Sequence, residues 1–135
     1  MAIVTAKLNN YRQSPRKVRL VANLIRGKKI EKVLQELNFV NKKTTRAIKK
    51  LLESAVANAK HNAGLDKKNL VLKEIRVDNG PIMKRIRPGA RGQAYPLKRR
   101  TSHISVALED ISEVVNQAKE KSVPGKIKKV ANLKK

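Results

Sequence analysis

The sequence predicts an α+β domain that carries a basic two-stranded arm. Three observations lead there. Short β-leaning runs with alternating apolar residues occur near 2–10, 70–78 and 104–108, as in half-buried strands. Three segments between Ser14 and Gly64 repeat apolar residues at helical spacing. From Asn79 to Leu108 there is no Asp or Glu, yet Lys84, Arg85, Arg87, Arg91, Lys98, Arg99 and Arg100 all fall within that stretch.

The elements follow in order. Residues 2–10 read as a strand, with Val4, Ala6 and Leu8 on one side. Ser14-Pro15 then opens a helix, because Ser is a good N-cap and Pro suits the first helical position. Its apolar stripe is Val18, Val21, Ala22 and Ile25, and Gly27 is a plausible stop. Opposite that stripe, Arg16, Arg19, Asn23 and Arg26 share a face that Arg12 could extend. Ile30, Val33, Leu34 and Leu37 mark a second, short helix. The third is the longest, with Asn41 as its expected cap. Ile48, Leu51, Leu52, Ala55, Val56 and Ala59 form its stripe, and Gly64 ends it. Lys42, Lys43, Arg46, Lys49 and Lys50 crowd its start, where the helix dipole favours acids. The mismatch costs only about 0.3–1 kcal/mol per charge, but its sign suggests an external anion.

After a polar turn at 66–69, Leu70 to Asp78 reads as a strand with Ile75 and Val77 inward. Ile104, Val106 and Leu108 alternate with His103, Ser105, Ala107 and Glu109 in the returning strand. Between them lies the arm, at about 79–102. Its tip, Arg87-Pro88-Gly89-Ala90-Arg91-Gly92, is a turn sequence flanked by Ile82, Ile86, Tyr95 and Leu97. Fully extended, the stretch from Val77 to Arg87 would span roughly 33 Å. Without arm and tail, about 85 residues remain, a body with a radius of gyration of roughly 12 Å. The arm should therefore project, and a bare two-stranded ribbon is marginal in water. From about Ile111 the chain reads helix-like, then Lys-rich after Pro124-Gly125. This tail, 110–135, is expected to be mobile when free. Residues 1–109 form the single expected domain.

Composition narrows the function. The chain has 135 residues, with 33 Lys and Arg against 10 Asp and Glu, a formal charge of +23. Such a field speaks of partners, and nucleic acid leads because Lys and Arg release phosphate counterions. No apolar run is long enough to span a membrane, and no signal or transit peptide is visible at the start. With no cysteine, disulfides and thiolate zinc sites are excluded. Aromatics are 2% of the chain (Tyr11, Phe39 and Tyr95), too few to stack splayed single-stranded bases. His61 and His103 have no carboxylate cluster beside them in sequence, and nothing calls for a metal or cofactor. His61 reads as a helix-terminal polar residue. His103, at the base of the arm, suits a phosphate or 2′-hydroxyl contact, or a plain β-surface role. There is no nucleophile motif, paired-carboxylate motif or phosphate-binding Gly-rich loop, so an enzyme is not expected. The plain alternative for the basic faces is a solvated surface, but acids are too scarce to pair with these cations.

Four stretches then become specific. Ser14-Pro15-Arg16-Lys17-Val18-Arg19 opens the first helix and Asn58-Ala59-Lys60-His61-Asn62 lies near the end of the third. Gly80-Pro81-Ile82-Met83-Lys84-Arg85-Ile86 leads out along the arm, and Lys98-Arg99-Arg100-Thr101-Ser102-His103-Ile104 returns. In this order, over about residues 2–109, they closely resemble the bacterial large-subunit ribosomal protein twenty-two family. The return carries one Arg more than the family's Lys-Arg-Thr-Ser-His-Ile. The tip has Gly89 where some relatives have a basic residue.

The resemblance implies three helices packed on a small three-stranded antiparallel sheet, with a long protruding basic β-hairpin. It implies a structural constituent of the large ribosomal subunit, monomeric there, that binds several domains of the large-subunit rRNA and touches neighbouring ribosomal proteins. It further implies a role in early assembly, and a hairpin that lines the polypeptide exit tunnel and meets the nascent chain. Changes near such tips are associated with macrolide resistance. The setting would be a bacterial cytoplasm or an organelle-encoded copy, with no membrane partner. The candidate rRNA contacts are Arg12, Arg16, Lys17, Arg19 and Arg26; Lys42, Lys43, Arg46, Lys49 and Lys50; and Lys84, Arg85, Arg87, Lys98, Arg99, Arg100, Thr101, Ser102 and His103. The candidate tunnel tip is Pro88, Gly89, Ala90, Arg91, Gly92 and Gln93. A DNA-binding protein with β-ribbon arms can also carry Arg and Pro near the arm tip, but such arms usually come from a dimer with a large apolar interface. A cationic membrane-active protein would need a basic amphipathic helix without a competing core.

Overall fold

Helical and strand periodicities segregate along this chain, and the fold follows them. The computed structural model describes residues 3–111. The elements are β1 (Val4–Tyr11), α1 (Pro15–Ile25), α2 (Ile30–Phe39), α3 (Lys43–Ala63), β2 (Leu70–Pro88) and β3 (Ala94–Asp110). Single 3-10 turns sit at Lys67–Asn69 and Ala90–Gly92. The sheet is antiparallel in the order β1-β3-β2, so β3 is central. That position buries Ile104, Val106 and Leu108 almost completely. The three helices supply the opposing apolar layer, from Val18 and Ile25 through Ile30, Val33 and Leu37 to Ile48, Leu52 and Ala55.

Helix ends show what the sequence specified and what it did not. At α1, the Ser14 carbonyl accepts the Lys17 and Val18 amides at 3.0 and 3.2 Å, while its hydroxyl makes no cap bond. Gly27 takes φ +73°, and its amide donates to the Leu72 carbonyl at 3.1 Å. The Leu72 amide returns a bond to Lys28, so the α1–α2 link lies along the outer side of β2. Asn41 does not cap α3. The cap position is Lys42, in extended conformation and without a side-chain bond. Gly64, left-handed at φ +61°, closes that helix as expected.

Register breaks shape the sheet. One lies between Leu72 and Glu74. It lets Leu70, Leu72, Ile75 and Val77 all face the core, although Leu72 and Ile75 are three residues apart. A second lies between Asn79 and Ile82, after which pairing resumes and runs from Ile82–Arg100 to Pro88–Ala94. Between residues 81 and 100 none is buried. Asp110 still belongs to β3. The Lys-rich tail, with its helix-like start, falls outside the described residues past Ile111, as does the first residue of the expected strand at 2–10.

Candidate nucleic-acid interface

Among the described residues, nothing covers the faces of the arm. Residues paired across its two strands share a face, so Lys84 stands opposite Lys98, and Met83 opposite Arg99. Like charges placed directly opposite each other destabilise a sheet. No acid lies on the arm to offset them. Ile86 is 76% exposed and Tyr95 54%, so the apolar groups of the ribbon build no core of their own.

At the root of the arm the structure brings distant cations together. Arg12 and Lys17 come from the β1–α1 junction, Lys43 from the first turn of α3, and Lys98, Arg99 and Arg100 from the stem. They line one cleft of about 840 Å³, with Gln13, Ser14, Met83 and Thr101 between them and no carboxylate. The Tyr11 hydroxyl donates to the Lys43 carbonyl at 3.4 Å and ties β1 to the start of α3. The first turns of α1 and α3 both border this cleft, and neither contains an acid. Their dipoles add to the attraction for an anion. The ion pairs Lys28–Glu36, Lys73–Glu109 and Arg76–Glu74 involve none of these residues.

The basic face of α1 has a double task. The order β1-β3-β2 leaves the outer edge of β2 open, and two arginines close it. Arg19 donates to the Val77 carbonyl at 2.9 Å and Arg26 to the Ile75 carbonyl at 3.3 Å. Around them is a smaller cleft of about 450 Å³ that also holds Glu74, Arg76 and Asp78. The hydrogen bond from Arg76 holds the Glu74 carboxyl below the usual carboxylate range, with Coulomb attraction adding to it. Arg16 is exposed and lines neither cleft. On α3, Lys42, Arg46 and Lys50 are exposed, and Lys49 donates to the Asn38 side chain at 2.9 Å. Arg85 and Arg87 lie further out on the arm, where Arg87 stands opposite Tyr95.

Thr101 and Ser102 require a correction. Named from the sequence as candidate rRNA contacts, they are buried at 2% and 0%. The Thr101 hydroxyl donates to the Pro81 carbonyl at 2.7 Å, and Ser102 Oγ has no hydrogen-bond partner among the described residues. Their place on the central strand turns them inward. His103 is half-buried, and its Nδ1 accepts the Asn10 amide at 3.1 Å. It therefore braces a left-handed residue, Asn10 at φ +56°, on the neighbouring strand. Among the described residues no group of three or more potential ligands could hold a metal ion.

The tip is a small closed loop. Gly89 donates to the Gln93 carbonyl at 2.7 Å, and the Tyr95 hydroxyl donates to the Gln93 side chain at 2.7 Å. The Tyr95 ring lies so close to Gly89 that a Cβ there would collide with it. Sequence reasoning missed this pairing; a lone aromatic near a Gly-rich turn was its only signal. Arg91 is exposed and left-handed at φ +55°.

The family model of ribosomal protein L22p/L17e matches residues 6–109. The chain belongs to the ribosomal protein L22p/L17e family. Membership makes it a structural constituent of the large ribosomal subunit, in a family that is structural and not enzymatic. The match takes in the three helices, the whole arm and nearly all of the sheet, so the L22p/L17e pattern covers both the cleft and the tip. No helix among the described residues is long and apolar enough to cross a membrane.

Proposed function

We propose that this member of the L22p/L17e family binds large-subunit rRNA with the arm and the cleft at its root, and that this contact aids early subunit assembly. One observation carries the reading: cations from the body and from the arm converge on one cleft that contains no acid. Double-helical RNA is engaged through shape, phosphates and 2′-hydroxyls, and a thin ribbon can enter crevices that a globular body cannot. Arg offers planar bidentate phosphate contacts and Lys a point charge. The chain acts as a single copy among several RNA domains and neighbouring ribosomal proteins, in a bacterial or organellar ribosome. The far end of the arm, 88–93, lines the polypeptide exit tunnel and meets the nascent chain. Its closed loop and small residues fit a narrow place.

Two variants test this in cells carrying only the altered chain. Replacing Lys98, Arg99 and Arg100 with Gln should lower its incorporation into large subunits on sucrose gradients. Deleting 89–91 should leave incorporation near normal and change erythromycin sensitivity or nascent-chain stalling. Full incorporation of the stem variant would overturn the RNA reading. Unchanged drug response and stalling in assembled ribosomes would overturn the tunnel-facing tip.

A further inference from the structure

The root of the arm carries the second register break. Asn79 pairs with Ser102 and Ile82 with Arg100, so Gly80 and Pro81 together oppose Thr101. Such an insertion bends its strand and increases the local twist. Thr101 fastens the bend, since its buried hydroxyl holds the Pro81 carbonyl at 2.7 Å. Gly80 leaves the space this needs, because a Cβ there would collide with Thr101 Oγ1. The bend borders the large cleft, and Thr101 is among the residues that line it.

The cleft has two walls of one sign. Arg12, Lys17 and Lys43 belong to the body, while Lys98, Arg99 and Arg100 belong to the arm. Mutual repulsion would swing the arm away if its root were slack. A ligand that meets both walls at once needs several negative charges along its length, which RNA backbone supplies.

We propose that this cleft is one preformed seat for a stretch of RNA backbone, gripped from body and arm together, and that Thr101 is the positioning residue that sets the arm's angle. The proposal rests on the RNA-binding reading above and goes beyond it in naming a single two-walled site. Thr101 acts through the cations it orients, not by touching RNA.

The full chain has no cysteine, so Ser54→Cys on α3 and Ala90→Cys at the tip provide two clean spin-label sites. The distance distribution between them should be narrow in free protein, broaden with Thr101→Val, and recover with Thr101→Ser. Affinity for a fluorescent RNA hairpin at moderate salt should fall about three- to tenfold with Thr101→Val and recover with Thr101→Ser. Lys43→Gln and Lys98→Gln should each weaken binding and lower the salt slope by about one. Should Thr101→Val fail to fold by circular dichroism, Gly80→Ala displaces the same hydroxyl and should broaden the distribution alike. An unchanged distribution would overturn the staple, and a broadened one with unchanged affinity would overturn its link to RNA. If Lys43→Gln and Lys98→Gln bind like the parent, the seat lies elsewhere while RNA binding stands. If the parent chain itself does not bind the hairpin, the RNA reading falls with it.

Discussion

β2 and β3 run through two regions with the same backbone pairing and opposite surroundings. In the body, Ile75, Val77, Ile104, Val106 and Leu108 meet the helices and are buried. In the arm, Ile82, Ile86, Tyr95 and Leu97 remain 37–76% exposed, and Lys84, Arg85, Lys98, Arg99 and Arg100 stand among them. The change occurs around the Gly80–Pro81 bulge, between Val77 and Ile82 on β2. A ladder of hydrogen bonds therefore does not decide whether strands belong to a core. What covers their faces does. The body covers its own, and among the described residues nothing covers those of the arm.

The largest test of this contrast is stability. Leu52→Ala or Ile104→Ala should cost about 2–5 kcal/mol, since both residues are fully buried. Ile86→Ala, an equally apolar truncation on the arm, should stay within about 0.5 kcal/mol. Urea unfolding followed by circular dichroism measures both. Comparable losses at the two sites would erase the distinction. The same logic applies to removing the arm: with 82–100 replaced by a short Gly-containing turn, the body should keep a cooperative transition.

The second test reverses the ranking by reading RNA affinity. Converting Lys98, Arg99 and Arg100 to Gln should reduce the logarithmic salt slope by about two to three, because each phosphate neutralised contributes about 0.7–0.9. Stability should hardly move, as all three are exposed. Binding titrations at several salt concentrations would show this. An unchanged slope would mean that these cations do not meet phosphates.

What could be read from the sequence divides along the same line. Periodicity located the helices, because Val18, Val21, Ala22 and Ile25 repeat at helical spacing within one segment, and Ile48, Leu51, Leu52 and Ala55 within another. The acid-free arm was equally visible. The bulges were not, because register is a relation between strands; the three-residue step from Leu72 to Ile75 was the only local trace. Thr101 and Ser102 read as rRNA contacts beside Arg99 and Arg100, and the central place of β3 buries them. The strand order also set Arg19 and Arg26 against the edge of β2. The cleft was out of reach for the same reason. Arg12, Lys43 and Lys98 lie far apart in the chain, and nothing in one segment announces the other two.

The smallest expected effect concerns acid. The arm has no carboxylate, so the acid dependence of stability should come from the body. There the hydrogen bond from Arg76, with Coulomb attraction, lowers the Glu74 carboxyl below its ordinary value. A carboxylate favoured in the folded state contributes stability that is present above its unfolded pKa. That contribution is lost as pH falls through the lowered folded value. Both side chains are exposed, so solvent screening keeps the contribution small. Glu74→Gln should therefore lose slightly less stability than the parent between neutral and acidic pH, as read from urea midpoints. The arm-replaced chain should show the same small difference, because the pair lies wholly in the body. If replacing the arm abolished it, the electrostatics of arm and body would be coupled across the Gly80–Pro81 bend, and the two regions could no longer be treated as separate.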